Sequence, residues 1–175
     1  MELKDKVVVI TGAGSGIGRA MAVRFKEEGA KHIVAVDINK NNVQATADLV
    51  GCHAMTADVS SESDMLKVIE ETEANWGPID LFCSNAGVGI APRLDSANHE
   101  WQKSWDINVM AHVYISRHLL PRMVARGGGY FLITSSAAGL LNQIGGASYG
   151  VTKHAAVGFG EWLKIHYKHR GIKVS

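Results

Sequence analysis

Tyr149 and Lys153 stand four residues apart in SYGVTK (148–153), just past the glycine pair Gly145 and Gly146. Four residues is about one turn of helix, so on a helix the two side chains share a face. An ammonium beside a phenol creates an acid–base group. A free phenol ionises at about pH 10, too high for a base at neutral pH. A cation ~4 Å away contributes about 4 kcal/mol at an effective dielectric near 20, and each ~1.4 kcal/mol is worth one pH unit before solvent weakens it. A phenol so placed exchanges a proton with a substrate alcohol close to neutral pH. Ser136 closes the strand-like run YFLITSS (130–136), and its hydroxyl could hold a carbonyl oxygen next to Tyr149. Taken alone, the Tyr–Lys pair also fits a packing tyrosine beside a solvated lysine.

A second constellation lies near the start. TGAGSGIG (11–18) follows a β-branched run and opens a helix. Its glycines, Gly12, Gly16 and Gly18, form Thr-Gly-x-x-x-Gly-x-Gly rather than the common G-x-G-x-x-G. A tight glycine turn lets backbone N–H groups approach a pyrophosphate, and the helix start adds partial positive charge. Gly12, Ser15, Gly16, Ile17 and Gly18 are therefore the expected cofactor contacts. Asp37 ends the next strand-like run, 19 residues after Gly18. A carboxylate there accepts hydrogen bonds from the adenosine ribose and repels a 2′-phosphate, so NAD is expected rather than NADP. Arg19 and Lys40 read as solvated.

These groups need a scaffold that brings strand ends together. Apolar runs at 6–12, 32–38, 52–59, 79–87 and 130–136 read as strands, and 171–175 as the start of a sixth. They alternate with helical patterns at 16–30, 41–50, 61–77, about 99–126 and 148–169, with Pro121 expected to kink or divide the fourth. Ser61 and Asp64 form a capping-box pattern. Trp101 and Trp105 read as a packing pair. The alternation predicts an α/β fold, a doubly wound parallel sheet with helices on both faces. Ser136 then falls at the carboxyl edge, where ligands of such sheets bind.

Composition excludes other classes. Of 175 residues, 46% are hydrophobic and 20% charged, with 18 basic against 17 acidic. No basic patch or tail points to nucleic acid. No run approaches the ~20 apolar residues that cross a bilayer, and MELKDK lacks a signal peptide's apolar middle. A cytoplasmic location is expected, with Cys52 and Cys83 as buried thiols. The eight histidines show no metal-ligand pattern and read as solvated or interfacial.

The glycine turn, NAG (85–87), the serine at 136 and Tyr149-x-x-x-Lys153 together resemble the short-chain dehydrogenase/reductase family, in order and spacing over essentially the whole chain. The resemblance implies a Rossmann fold with strand order 3-2-1-4-5-6 and roles at particular positions. Tyr149 is the proton donor or acceptor, Lys153 tunes it and binds the nicotinamide ribose, and Ser136 orients the substrate oxygen. Ser136 is preferred to Ser135 because it lies 13 residues before Tyr149. Asn108 matches the helix asparagine that helps hold a proton-relaying water. Asp58 and Val59 match the adenine-contacting pair, and Asn85, Ala86 and Gly87 the motif supporting the sheet and the adenosine side. The implied activity is hydride transfer between NAD and a secondary alcohol or ketone; the alternative is a dinucleotide-binding protein without turnover. The loops 87–100 and 139–147 would line the substrate pocket, made apolar by Ile90, Leu140, Leu141 and Ile144. The family pairs subunits through the helices at 99–126 and 148–169, so a homodimer or homotetramer is expected. Members continue into a Pro-Gly turn and a substrate lid, so residues 1–175 are read as one dinucleotide-binding domain, incomplete at its C-terminal end.

Overall fold

β-Branched and aromatic runs bury both faces of the strands, and that burial sets the architecture. The computed structural model describes residues 1–90, 93–142 and 144–175. Pro92 and Gln143, in the two loops expected to wall the pocket, lie outside the described residues. The first half alternates β1 (Val7–Thr11), α1 (Gly16–Glu27), β2 (His32–Asp37), α2 (Lys40–Val50), β3 (His53–Thr56), α3 (Glu62–Trp76) and β4 (Leu81–Ser84). The second half runs α4 (Asn98–Trp105), α5 (Ala111–Ala125), β5 (Gly129–Ile133), α6 (Ala147–Tyr167) and β6 (Ile172–Val174). Among the described residues the six strands form one parallel sheet in the order β3-β2-β1-β4-β5-β6.

All of β1 and β4 is buried, as parallel strands covered by helices on both faces require. Successive side chains alternate between two cores. Val9 and Phe82 pack with Met65, Ile69, Ile115, Leu119 and Leu163 from α3, α5 and α6. Val8, Ile10 and Cys83 pack with Ala22, Val43 and Val50 from α1 and α2. Phe82 and Phe131 sit on neighbouring strands with ring centroids 6.2 Å apart. Arg122 of α5 and Arg126, just past its end, both reach Glu73 of α3, at 3.1 and 2.6 Å. Both cysteines are free, Cys83 buried and Cys52 partly so. No described helix is long and apolar enough to cross a membrane.

The caps follow chain chemistry. Asn39 Oδ1 accepts the Asn42 N–H at 3.0 Å to start α2, and Gly51 ends it in the left-handed region at φ 67°. Ser61 Oγ accepts the Asp64 N–H at 3.2 Å, but Asp64 Oδ2 accepts the N–H of Asp58, not of Ser61. The pattern is therefore half a capping box, with its acid diverted to brace the loop after β3.

Two expectations change. The fourth helix is interrupted at a π turn, Asp106–Met110, whereas Pro121 sits inside an unbroken α5. The buried Leu119, Leu120 and Met123 hold that helix on the sheet despite the lost backbone donor. His112 is not solvated: it is 1% exposed, with Nδ1 2.6 Å from the Ser84 hydroxyl and no partner for Nε2 among the described residues. Trp101, for its part, donates its indole N–H to the Arg93 carbonyl at 3.2 Å.

Burial drives the His112 pKa down to about 3, the Lys153 charge adds to the fall, and a hydrogen bond with the Asn108 backbone opposes it. The unfolded chain therefore binds the proton first. The stability of neutral His112 is fully present above about pH 6.5 and is lost as pH falls below it, at up to ~1.4 kcal/mol per pH unit. Denaturant unfolding of the wild type and His112→Leu at pH 7 and pH 5 should show the variant gaining roughly 1–2 kcal/mol on the wild type between the two pH values. Parallel pH dependences would contradict this.

Candidate active site

The carboxyl ends of β1, β4 and β5 are tied by one asparagine. Asn85 donates its side-chain amide to the Thr11 carbonyl at 2.9 Å and accepts the Thr134 hydroxyl at 2.9 Å. Thr11 Oγ1 in turn accepts the N–H groups of Asn85 and Ala86 at 3.0 and 3.1 Å. These bonds turn residues 85–87 out of the ladder, so β4 stops at Ser84 instead of running on to Gly87. The strand ends become the floor of a cleft of about 540 Å³.

One wall is the glycine turn. Gly12 and Gly16 take φ of 67° and 51°, a region that suits glycine. Gly18 has another reason: a Cβ there would stand 2.2 Å from the Gly12 carbonyl oxygen. The first turn of α1 holds no acid, and its cap residue Ser15 makes no side-chain cap bond. The leading N–H groups of the helix are thus left to a ligand. Asp37 stands at the end of β2, with Oδ2 accepting the Gly14 N–H and Oδ1 the Asn39 N–H, both at 2.9 Å. Asp58 Oδ1 accepts the backbone and side chain of Ser60 at 2.9 and 2.7 Å.

The opposite wall is α6. Lys153 is 4% exposed and turned inward, with Nζ donating to the Thr134 carbonyl at 3.1 Å and lying 5.8 Å from the centre of the Tyr149 ring. Burial pulls its amine below the usual lysine value. Asn108, brought in by the π turn, is fully buried; its amide grips Val88 through both backbone groups, at 2.9 and 3.1 Å, and donates to Thr152 Oγ1 at 3.1 Å. That fixes α6 next to Lys153. Ser135 Oγ donates to the Lys153 carbonyl at 3.0 Å. Ser136 Oγ accepts the Ala138 N–H at 3.2 Å, starting a short 3₁₀ turn, Ala137–Gly139.

A profile of the short chain dehydrogenase family matches residues 6–175. The chain belongs to that family. It is 34% identical to human epidermal retinol dehydrogenase 2, an alignment covering 97% of this chain and 58% of the relative. An uncharacterized oxidoreductase of Thermotoga maritima is 32% identical, over 100% of this chain and 71% of that protein. Among solved structures, a 7α-hydroxysteroid dehydrogenase complexed with NADH and 7-oxo glycochenodeoxycholic acid superposes with a TM-score of 0.93 at 27% identity, covering 98% of this chain and 69% of that one. The chain thus spans less than two thirds of the length of the retinol dehydrogenase it matches.

The short chain dehydrogenase frame gathers nearly all the residues singled out from the sequence. Gly12, Ser15, Gly16, Ile17, Gly18 and Asp37 line the cleft, as do Asp58, Val59, Asn85, Ala86, Gly87, Tyr149 and Lys153. Asn108 and Ser136 are not among the lining residues, whereas Thr134 and Ser135 are. Leu140, Leu141 and Ile144 project into solvent and take no part in the lining. Thr11, Thr134 and Thr152 escaped the sequence reading; a threonine at a strand end carries no signal beyond its hydroxyl. Arg19 also departs from expectation, because its guanidinium is engaged by Thr46 and Gly14 rather than solvated.

The glycine wall is tested by paired substitutions. Gly18→Ala drives a methyl into backbone and should cost about 2 kcal/mol or more, roughly 4–8 °C in Tm. Gly158→Ala, on α6 with open space around it, should gain up to about 1 kcal/mol. Equal melting temperatures for the two variants would contradict the close approach.

Proposed function

We propose that this chain carries the cofactor cleft and proton-transfer group of an NAD-dependent oxidoreductase that interconverts a secondary alcohol and its ketone. The observation that carries the reading is the inward Lys153 ammonium, held on the Thr134 carbonyl below the Tyr149 ring. The cleft fits a dinucleotide on its own geometry: side-chain-free backbone at Gly12 and Gly16, uncapped N–H groups at the α1 start, and a carboxylate at Asp37. Gly12, Ser15, Gly16, Ile17 and Gly18 would hold the pyrophosphate. Asp37 would hold the adenosine ribose, and Asp58 with Val59 the adenine. Asn85, Ala86 and Gly87 would support the adenosine side.

A bound oxidised nicotinamide would supply the hydride acceptor for the substrate carbon. The chain manages the proton. Lys153 has three donor positions, of which one goes to Thr134. The other two would be available to a ribose hydroxyl, and the charge itself lies 5.8 Å from the centre of the Tyr149 ring. Tyr149 Oη then takes the proton of the substrate hydroxyl, and gives it back in reduction. Ser136, whose oxygen accepts from Ala138, keeps its own O–H to donate to the substrate oxygen. Asn108 commits its side chain to Val88 and Thr152, so its part is to fix α6 beside Lys153.

The names of the relatives support an alcohol on a hydrophobic body, since one is a retinol dehydrogenase and another a hydroxysteroid dehydrogenase. Reduced-cofactor absorbance with a panel of apolar secondary alcohols tests the reading. Tyr149→Phe should lower kcat by at least ~100-fold while NAD binding stays close to wild type. A variant that turns over normally would remove Tyr149 from the chemistry.

A further inference from the structure

Arg19 follows Gly18 on α1, and its head group leaves the helix to bridge two other elements. Nε donates to Thr46 Oγ1 at 2.9 Å, and Nη2 donates to the carbonyl oxygen of Gly14. Thr46 is fully buried and passes the tie on, donating to the Asn42 carbonyl at 3.2 Å. The same residue has a second partner across its other peptide group: the Gly14 N–H donates to Asp37 Oδ2. Gly14 is pinned so closely that a Cβ would stand 2.8 Å from Asp37 Cγ and 2.9 Å from Asn42 Cβ. Three elements, α1, the end of β2 and α2, therefore converge on one glycine, and Arg19 is the group that holds it from behind.

We infer that Arg19 is a positioning residue for cofactor selectivity, acting through Gly14 on Asp37. This rests on the nicotinamide reading of the cleft. A carboxylate discriminates between a ribose 2′-hydroxyl and a 2′-phosphate only if it stays where the ribose arrives. With both oxygens already accepting backbone N–H groups, from Gly14 and Asn39, Asp37 is held in place before any ligand binds. Preorganised acceptors bind at less cost than mobile ones. Arg19 contributes a second effect. It is a cation within reach of the turn, and the two bonds that engage it withhold its charge from a 2′-phosphate. Losing the tie loosens the acceptor that favours NAD; where Arg19 itself remains, as in Thr46→Val, it also frees a cation that favours NADP.

The test is binding, not turnover, measured on the purified protein by calorimetry with NAD and with NADP. Arg19→Gln removes the charge and the fork and should weaken NAD by about tenfold, the value of one charge-assisted hydrogen bond, while changing NADP far less. The NAD:NADP affinity ratio should contract by about tenfold. Thr46→Val keeps the shape of the buried side chain, removes the acceptor, and should shift the ratio the same way by a smaller factor. It serves if Arg19→Gln folds poorly, and melting curves identify that case. Asp37→Ala is the reference, and should contract the ratio at least as far as Arg19→Gln. Equal weakening of both cofactors, or NAD affinity within about twofold of wild type in both tie variants, would overturn the positioning role. An unchanged ratio in Asp37→Ala would overturn the inference at its origin, and a wild type that binds neither nucleotide would overturn the nicotinamide reading along with it.

Discussion

A buried ammonium is the most demanding group in this structure. Lys153 is 4% exposed, and a charge so placed needs partners to offset the water it has lost. Among the described residues its hydrogen-bond acceptor is the Thr134 carbonyl, at 3.1 Å, at the point where β5 ends. Much of the surrounding geometry serves that contact. Gly139 lacks a Cβ where one would stand 2.7 Å from the Lys153 carbonyl, and Gly87 leaves room for the ammonium itself, 3.3 Å from the place its Cβ would occupy. Ser135 holds the Lys153 backbone, and Thr152, the residue before it, is held by Asn108. The helix is fixed by polar bonds to the loops, and the cation is fixed by the helix.

The same economy explains the sheet edge. A parallel sheet releases its strands at one end, and their last polar groups need partners there. Thr11, Asn85 and Thr134 supply them for one another across β1, β4 and β5. The floor of the cleft is therefore rigid before any ligand enters. On the far wall the Gly14–Asp37 bond does the same for the adenosine side. Both ends of the cleft are organised by hydrogen bonds that no ligand needs to make.

What the sequence disclosed divides along a physical line. Buried β-branched runs, a glycine turn and a Tyr–Lys spacing are local patterns; the strand order that the family resemblance implies is the one observed, and thirteen of the fifteen chosen residues line one cleft. Non-local partnerships were hidden. The π turn differs from an α-helix by a single shift in hydrogen bonding, which leaves little trace in composition, whereas Pro121 advertises a break that burial suppresses. His112 reads as a polar helix residue until Ser84, 28 residues earlier, meets its ring. Arg19 reads as solvated until Gly14 and Thr46 fold over it. Leu140, Leu141 and Ile144 read as pocket walls from hydrophobicity alone, which cannot say which way a loop faces.

The inward placement of the Lys153 amine is best tested by following its own titration. Selective ¹³C labelling of the lysine side chains, with Lys153→Met to assign the signal, gives the midpoint by NMR. A midpoint below the usual 10.5 is expected, because burial penalises the charged form. A midpoint at or above 10.5, as a solvated surface lysine shows, would contradict the buried cation and the site built around it.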